Sequence, residues 1–288
     1  ELGTEHFIKA LSKITGVACP VDYKLIEEKY RKALRFLPPR PPVMCPGCSH
    51  RAAYYAMKKA APDHPYPGDI GCYTLSALPP ISGMDTCTCM GGSVGTACGI
   101  SIVNKKQPIA TIGDSTFLHA GIPGLVNAVY NNANVVLLIM DNNTTAMTGH
   151  QPHPGTGVTP LRGVHKVRIE DIVKGCGVKF CEVVDPFKVK KTIEVIKRAM
   201  QHNGPAVVIC RQECAYNMLK RLSKEGKTPP LYEVDKEKCI GCGTCSREFG
   251  CPAIRMENGK AVIDEYYCTG CGACAEVCPV GAIRRRIK

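Results

Sequence analysis

Two stretches near the C-terminus, CIGCGTCSREFGCP (239–252) and CTGCGACAEVCP (268–279), repeat one pattern of closely spaced cysteines. No other feature limits what this chain can fold into so strongly. The second copy reads C-x₂-C-x₂-C-x₃-C-P, the run in which three cysteines of one copy and the fourth of the other hold each [4Fe–4S] cluster. The spacing predicts one cluster on Cys239, Cys242, Cys245 and Cys278, and another on Cys268, Cys271, Cys274 and Cys251. Gly241, Gly243, Gly270 and Gly272 let backbone amides approach the sulfurs of so tight a loop. The first copy departs from the pattern, with five residues rather than three between Cys245 and Cys251. Because Cys251 serves the other cluster, a longer connector is tolerable. Zinc takes four ligands, usually from two separated C-x-x-C pairs, so eight cysteines in two triplet-plus-one copies favour iron.

The chain holds 19 cysteines in 288 residues. A disulfide scaffold is excluded by its length and by the clustering of the cysteines in C-x-x-C units, which mark an intracellular metalloprotein. The N-terminal ELGTEHFIKA lacks the pattern of an export signal, and the longest apolar run, NVVLLIM (134–140), is too short to span a bilayer. A cytoplasmic protein without a membrane segment is expected. The formal charge is +12. Nucleic-acid binding is disfavoured, because each four-thiolate cluster carries about −2 and offsets part of that charge. With 6 Phe and no Trp, stacking platforms for bases are sparse as well.

Residues 1–42 read as a helical segment (VDYKLIEEKYRKALRFL) ending in the helix-breaking PPRPP. Residues 43–225 alternate strand-like and helix-like stretches. QPIATIG (107–113), NVVLLIMD (134–141) and PAVVICRQ (205–212) are predicted strands, and GIPGLVNAVYNN (121–132) and DPFKVKKTIEVIKRAMQH (185–202) predicted helices. Apolar strands alternating with helices imply an α/β fold with a parallel sheet covered on both faces. Residues 226–288 form the second, small α+β domain that carries the cysteine repeat, after a polar linker near 221–234.

GDSTFLHAGIPGLVNAVYNNANVVLLIMDNNTTAMTG (113–149) points to a second chemistry. Asp114 follows one predicted strand and Asn142 the next. Both therefore lie at carboxyl ends of parallel strands, where ligands bind. Their oxygens suit Mg²⁺ bridging to phosphates. The stretch resembles the G-D-G…N-N signature of thiamine diphosphate enzymes, with Ser115 in place of the second Gly and Asp141 ahead of the Asn pair. On that likeness Gly113, Asp114, Ser115, Asn142, Thr144, Met147, Thr148 and Gly149 are candidate cofactor-binding residues, with Asp114, Asn142 and the Thr144 carbonyl on Mg²⁺. The alternative is that Asp114 and Asn142 only cap helices. His119 and His150 are candidates for substrate or diphosphate contact or proton transfer, and His153 lies in the same motif.

MCPGCSHRAAYYAMKKA, GDIGCYTL, MDTCTCMGGSVG, IGDSTFLHAGIPGLVNAVY, DNNTTAMTGHQPHPGTG and the paired cysteine tail stand in order over residues 40–288. Together they resemble the large subunit of indolepyruvate-type 2-oxoacid:ferredoxin oxidoreductases, in its C-terminal half. The resemblance implies a parallel-sheet thiamine-diphosphate-binding domain followed by a two-cluster ferredoxin domain. It implies oxidative decarboxylation of arylpyruvates with transfer of the acyl group to CoA and of electrons to ferredoxin. It implies as partners a pyrimidine-binding domain outside this stretch and a smaller second subunit. It also implies a third [4Fe–4S] cluster beside the thiamine, on Cys45, Cys48, Cys72 and Cys214, with Cys210 the rival for the fourth place. Two alternatives stay open, another 2-oxoacid specificity and an electron-transfer subunit without catalysis. Cys87 and Cys89 are expected to pack near the cofactor, and RRRIK (284–288) to be a solvated end or a docking patch for an acidic ferredoxin.

Overall fold

The computed structural model describes residues 2–38, 41–104, 106–159 and 165–286. By contacts the chain divides into two compact units, Glu1–Pro42 and Val43–Lys288. In the first, α1 (Thr4–Thr15) ends at Gly16, whose left-handed φ of 71° closes a backbone hydrogen bond to Ser12. Asp22 then caps α2 (Tyr23–Leu34), its side chain accepting from the Leu25 N–H.

The second unit is built on a four-stranded parallel sheet. In chain order its elements are α3 (Ser49–Ala60), α4 (Gly92–Val103), β1 (Ile109–Gly113), α5 (Ile122–Tyr130), β2 (Val136–Asp141), α6 (Ile169–Gly175), β3 (Phe180–Val184), α7 (Val189–Met200), β4 (Ala206–Arg211) and α8 (Ala215–Lys224). The strands lie in the order β1-β2-β4-β3. Register pairs Gly113 with Met140 and Asp141 with Arg211, so the ends of β1, β2 and β4 stand side by side. Alternate residues serve opposite faces. Ile109, Val136, Leu138, Met140 and Val208 pack toward α3 and α7. Ala110, Ile112, Leu137, Ile139, Val207 and Ile209 pack toward α4, α5 and α6. Leu137, Leu138, Ile139 and Met140 are each at most 1% exposed, and burying each contributes about 1.5–3 kcal/mol.

Three details differ from the sequence expectation. The strand β3 carries only one buried residue, so its mixed polarity hides it. After β1 the chain enters helical backbone at once, at Asp114, and passes through a wide π turn at Phe117–Gly121 before α5. The predicted linker is helical at its start, because α8 runs to Lys224.

The cysteine repeat folds as two antiparallel pairs. β5 (Tyr232–Val234) pairs with β8 (Ile283–Arg285), and β6 (Ile254–Glu257) with β7 (Lys260–Ile263). This part is packed onto the sheet portion. Phe249, Ala273 and Val277 are buried in the same cluster as residues of α3 and α7, and the Phe249 ring stands edge-on to Tyr55 at 5.5 Å. Among the described residues, no helix is long and apolar enough to cross a membrane.

Candidate functional site

At the carboxyl edge of the sheet lies a cleft with about 570 Å³ of open space. It is lined by Gly113 at the end of β1 with Asp114 and Ser115 just beyond, by Asn142, Thr144, Met147 and Thr148 after β2, and by His50, Cys72 and Tyr73. Parallel pairing of β1 and β2 puts their ends together, which is why Asp114 and Asn142 meet. Asp114 is 3% exposed. Its Oδ1 accepts from the Ser115 N–H at 2.8 Å, and its Oδ2 accepts from the Asn143 N–H at 2.8 Å and lies 3.1 Å from His153 Nε2. A carboxylate offers about four acceptor sites, so one remains on Oδ1. Asn142 Oδ1 is engaged only by a long 3.3 Å bond from the Thr144 N–H. Hard oxygens left available on Asp114 and Asn142, in one cleft with Thr144, fit an Mg²⁺–diphosphate group.

The turn is held from behind. Asn143 adopts φ 59°, and its N–H also reaches Asp141 Oδ1 at 3.3 Å. Arg211 at the end of β4 donates to Asp141 at 2.6 Å and makes a two-pronged contact with Glu170 at 2.8 and 2.9 Å. That guanidinium lowers the Glu170 pKa to about 2, whereas burial raises that of Asp141.

Two residues of the cleft region have no signal in the sequence beyond their motifs. His50 lines the cleft at 3% exposure, and neither ring nitrogen has a partner. Burial lowers its pKa to about 4, so the ring is neutral at pH 7. Asp69 is fully buried. It accepts from the Tyr73 hydroxyl, from the Gly91 N–H at 2.9 Å and from Ser93 Oγ at 3.1 Å, tying the Cys72 loop to the start of α4. His119 and His150 do not line the cleft. His119 is exposed and its Nδ1 lies 2.7 Å from the Ser115 carbonyl oxygen. His150 stacks on Tyr216 with ring centroids 4.6 Å apart. Gly149, at φ 119°, closes the turn beyond Thr148.

The cysteines gather in three groups of four. Burial, then the neighbouring Cys48, Cys214 and Cys45, push the Cys72 pKa up to about 11. The backbone brings these residues to one place, since the Cys48 N–H bonds the Cys45 carbonyl at 3.2 Å and the Cys214 N–H bonds, at 3.0 Å, the carbonyl of Asn142, which lines the cleft with Cys72. Cys210 is 2% exposed inside β4, and its raised pKa, about 12, owes nothing to another cysteine. The second group, Cys239, Cys242, Cys245 and Cys278, lines one small recess. The third, Cys251, Cys268, Cys271 and Cys274, lines another. Among the described residues no three His, Cys, Asp or Glu side chains converge as tightly as a single ion requires. Four thiols around each of these recesses are the ligand set that an iron–sulfide cube takes.

The long connector before Cys251 is accommodated by a π turn at Thr244–Glu248 and by Gly250 at φ 65°. Cys87 and Cys89 are exposed rather than packed. In the tail, Arg284 and Arg286 are engaged by Glu233 and Glu265, while Ile287 and Lys288 lie outside the described residues.

Comparison with known proteins finds two matching domains along the chain. Residues 69–210 match the family model of the thiamine pyrophosphate enzyme C-terminal TPP binding domain, and residues 231–279 that of the 4Fe-4S dicluster domain. The chain is 46% identical over 302 residues to indolepyruvate oxidoreductase subunit IorA of Pyrococcus horikoshii, covering 99% of this chain and 47% of that protein. It is 49% identical over 278 residues to the subunit of the same name from Archaeoglobus fulgidus, covering 95% and 44%. The chain thus spans about half the length of the curated relatives it matches. A solved structure of 2-oxoglutarate:ferredoxin oxidoreductase from Magnetococcus marinus superposes with a TM-score of 0.55 at 20% identity, over 62% of this chain and 66% of that one, which shows a shared fold.

Proposed function

We propose that this chain, which matches indolepyruvate oxidoreductase subunits at 46 and 49% identity over about half their length, belongs to that family and is the diphosphate-binding and electron-transfer half of an arylpyruvate:ferredoxin oxidoreductase. One observation carries the reading. Cys72 lines the cleft and also belongs to the first group of four thiols. A cluster held by Cys45, Cys48, Cys72 and Cys214 would border the bound cofactor.

Bound thiamine diphosphate would supply the carbon nucleophile and electron sink that 2-oxoacid decarboxylation needs. The chain's own residues have simpler tasks. Asp114, Asn142 and Thr144 would hold the Mg²⁺ that anchors the diphosphate, Gly113, Ser115, Met147 and Thr148 would form the wall around it, and Gly149 would close the turn behind them. Arg211, through Asp141, keeps the Asn142–Asn143 turn in place. The neutral ring of His50 offers a donor and an acceptor inside the cleft. His119 and His150, off the cleft wall, are assigned contact with substrate or with the partner domain. Domain limits at 43–225 and 226–288 follow from this division of labour. The pyrimidine-binding domain, the small subunit and ferredoxin are the partners the reading requires, with CoA as acyl acceptor.

The test is iron stoichiometry followed by turnover. The holo-protein should hold about 12 iron per chain, four for each of three clusters, and Cys48→Ser should lose about four. With the pyrimidine-binding domain and small subunit added anaerobically, arylpyruvate and CoA should reduce a viologen. About eight iron in the parent and no viologen reduction would leave an electron-transfer subunit without catalysis.

A further inference from the structure

Arg51, on the first turn of α3, is a cation with nowhere obvious to be. It is 3% exposed. Among the described residues it makes no ion pair with a carboxylate. Its Nη1 donates to the carbonyl of Gly250 at 2.6 Å and to that of Phe249 at 3.4 Å, and its Nη2 donates to that of Met44 at 2.5 Å. Its Nε has no partner. Taking a charge out of water costs several kcal/mol even after relaxation, and neutral carbonyls do not supply a counter-charge.

The carbonyls it holds stand next to cysteines, Met44 before Cys45 and Gly250 before Cys251. Cys251, Cys48, Cys45 and Cys271 are the groups whose negative charge acts on it, opposing the effect of burial. Cys45 and Cys48 belong to the first group of thiols, and Cys251 and Cys271 to the third. The two groups nearly touch here. Gly47, between Cys45 and Cys48, lines one recess together with Cys251, Cys268 and Cys271. A Cβ built on Gly47 would fall 1.8 Å from Thr269 Oγ1, between Cys268 and Cys271.

We propose that Arg51 is the shared counter-cation of two iron–sulfur clusters, the one bordering the cleft and the one held by Cys251, Cys268, Cys271 and Cys274. The proposal rests on the three-cluster reading above. A [4Fe–4S] core with four thiolates carries about −2 when oxidised and −3 when reduced. A fixed cation between two such groups stabilises the reduced form of each and raises both potentials. When one electron leaves the first cluster for the second, one falls from −3 to −2 and the other rises from −2 to −3. The summed charge of the two clusters is unchanged, so a cation between them acts on both ends of the transfer. Arg51 is thus a positioning residue for charge, three residues from Cys48 and bonded to a loop 199 positions away.

The test is a redox titration of the anaerobically purified holo-protein, followed by electron paramagnetic resonance. The third-group signal is assigned by its loss in Cys268→Ser. Arg51→Met should lower the midpoint of that cluster by a factor of ten or more in the one-electron equilibrium constant, about 59 mV. Arg51→Lys, which keeps the charge and loses the fork of hydrogen bonds, should retain most of the parent value. Unchanged midpoints in an iron-replete Arg51→Met variant overturn the proposal. So does an Arg51→Lys midpoint as low as that of Arg51→Met, which would make Arg51 a hydrogen-bonding staple only. Should Arg51→Met fail to load iron, Arg51→Lys decides alone. Loaded with parent midpoints it supports the proposal; shifted or unfolded it refutes it. About eight iron in the parent protein would instead remove the first cluster, a failure of the functional reading visible without any variant.

Discussion

Gly47→Ala should cost the protein about 2–5 kcal/mol, concentrated at one seam. Two terms make up that figure. Gly47 sits at φ 68°, and an L-residue in the left-handed region costs roughly 1–2 kcal/mol. The added methyl would also lie 1.8 Å from Thr269 Oγ1, 2.9 Å from Thr269 Cβ and 3.3 Å from Thr269 Cγ2. No side chain tolerates the first of these, so the two cysteine loops must part, at the cost of roughly 1–3 kcal/mol typical of overpacking. The variant should unfold at lower guanidinium concentration in anaerobic titrations followed by circular dichroism and visible cluster absorbance. The cluster on Cys251, Cys268, Cys271 and Cys274 should be lost first, because Gly47 and Thr269 line the recess that these cysteines ring. A double-mutant cycle separates the terms. Thr269→Ala deletes the 1.8 Å contact and leaves Cβ at 2.9 Å, so Gly47→Ala with Thr269→Ala should recover about 1 kcal/mol or more relative to additivity. A Gly47→Ala protein as stable as the parent, or strict additivity in the cycle, would refute the reasoning.

Two further outcomes follow from the site. Asp69→Ala leaves the Gly91 N–H and the Ser93 and Tyr73 hydroxyls without their buried acceptor, and at roughly 1–3 kcal/mol per buried unsatisfied group the urea midpoint should fall clearly while the m-value holds. Glu170 has its pKa lowered from 4.5 to about 2 by Arg211, so its contribution is present above pH 4.5 and is lost as the pH falls toward 2. Glu170→Gln should therefore flatten the stability–pH curve across that window, and an unaltered acid limb would show that the Arg211 contact stabilises nothing.

Much of this molecule is legible in its sequence. The cysteine repeat announces two four-thiol groups, and NVVLLIMD can only be a buried strand, as β2 is. Asp114 and Asn142 can be paired because parallel strands align their carboxyl ends. What stays hidden is whatever depends on distant contacts. FCEVV carries no clear strand signal, because the edge strand β3 keeps one face partly wet. His50 and Arg51 read as ordinary polar residues of a short helix, SHRAAYYAMKKA. Their burial is imposed by the cleft on one side and by a loop nearly two hundred residues further along on the other. Asp69 is one aspartate among glycines, and its three donors come from residues 4 to 24 positions away.

The lengthened connector between Cys245 and Cys251 has a consequence beyond tolerance. Its residues are the ones that reach across: Glu248 pairs with Lys59 at 2.8 Å, Phe249 meets Tyr55, and the carbonyls of Phe249 and Gly250 receive Arg51. The surplus loop is thus an address label on an otherwise generic part. A small two-cluster protein with three-residue spacing in both copies could bind its iron equally well and yet not be interchangeable with residues 226–288, lacking these contacts to α3. Grafting this connector, rather than redesigning the iron sites, is the edit that would retarget such a part to this scaffold.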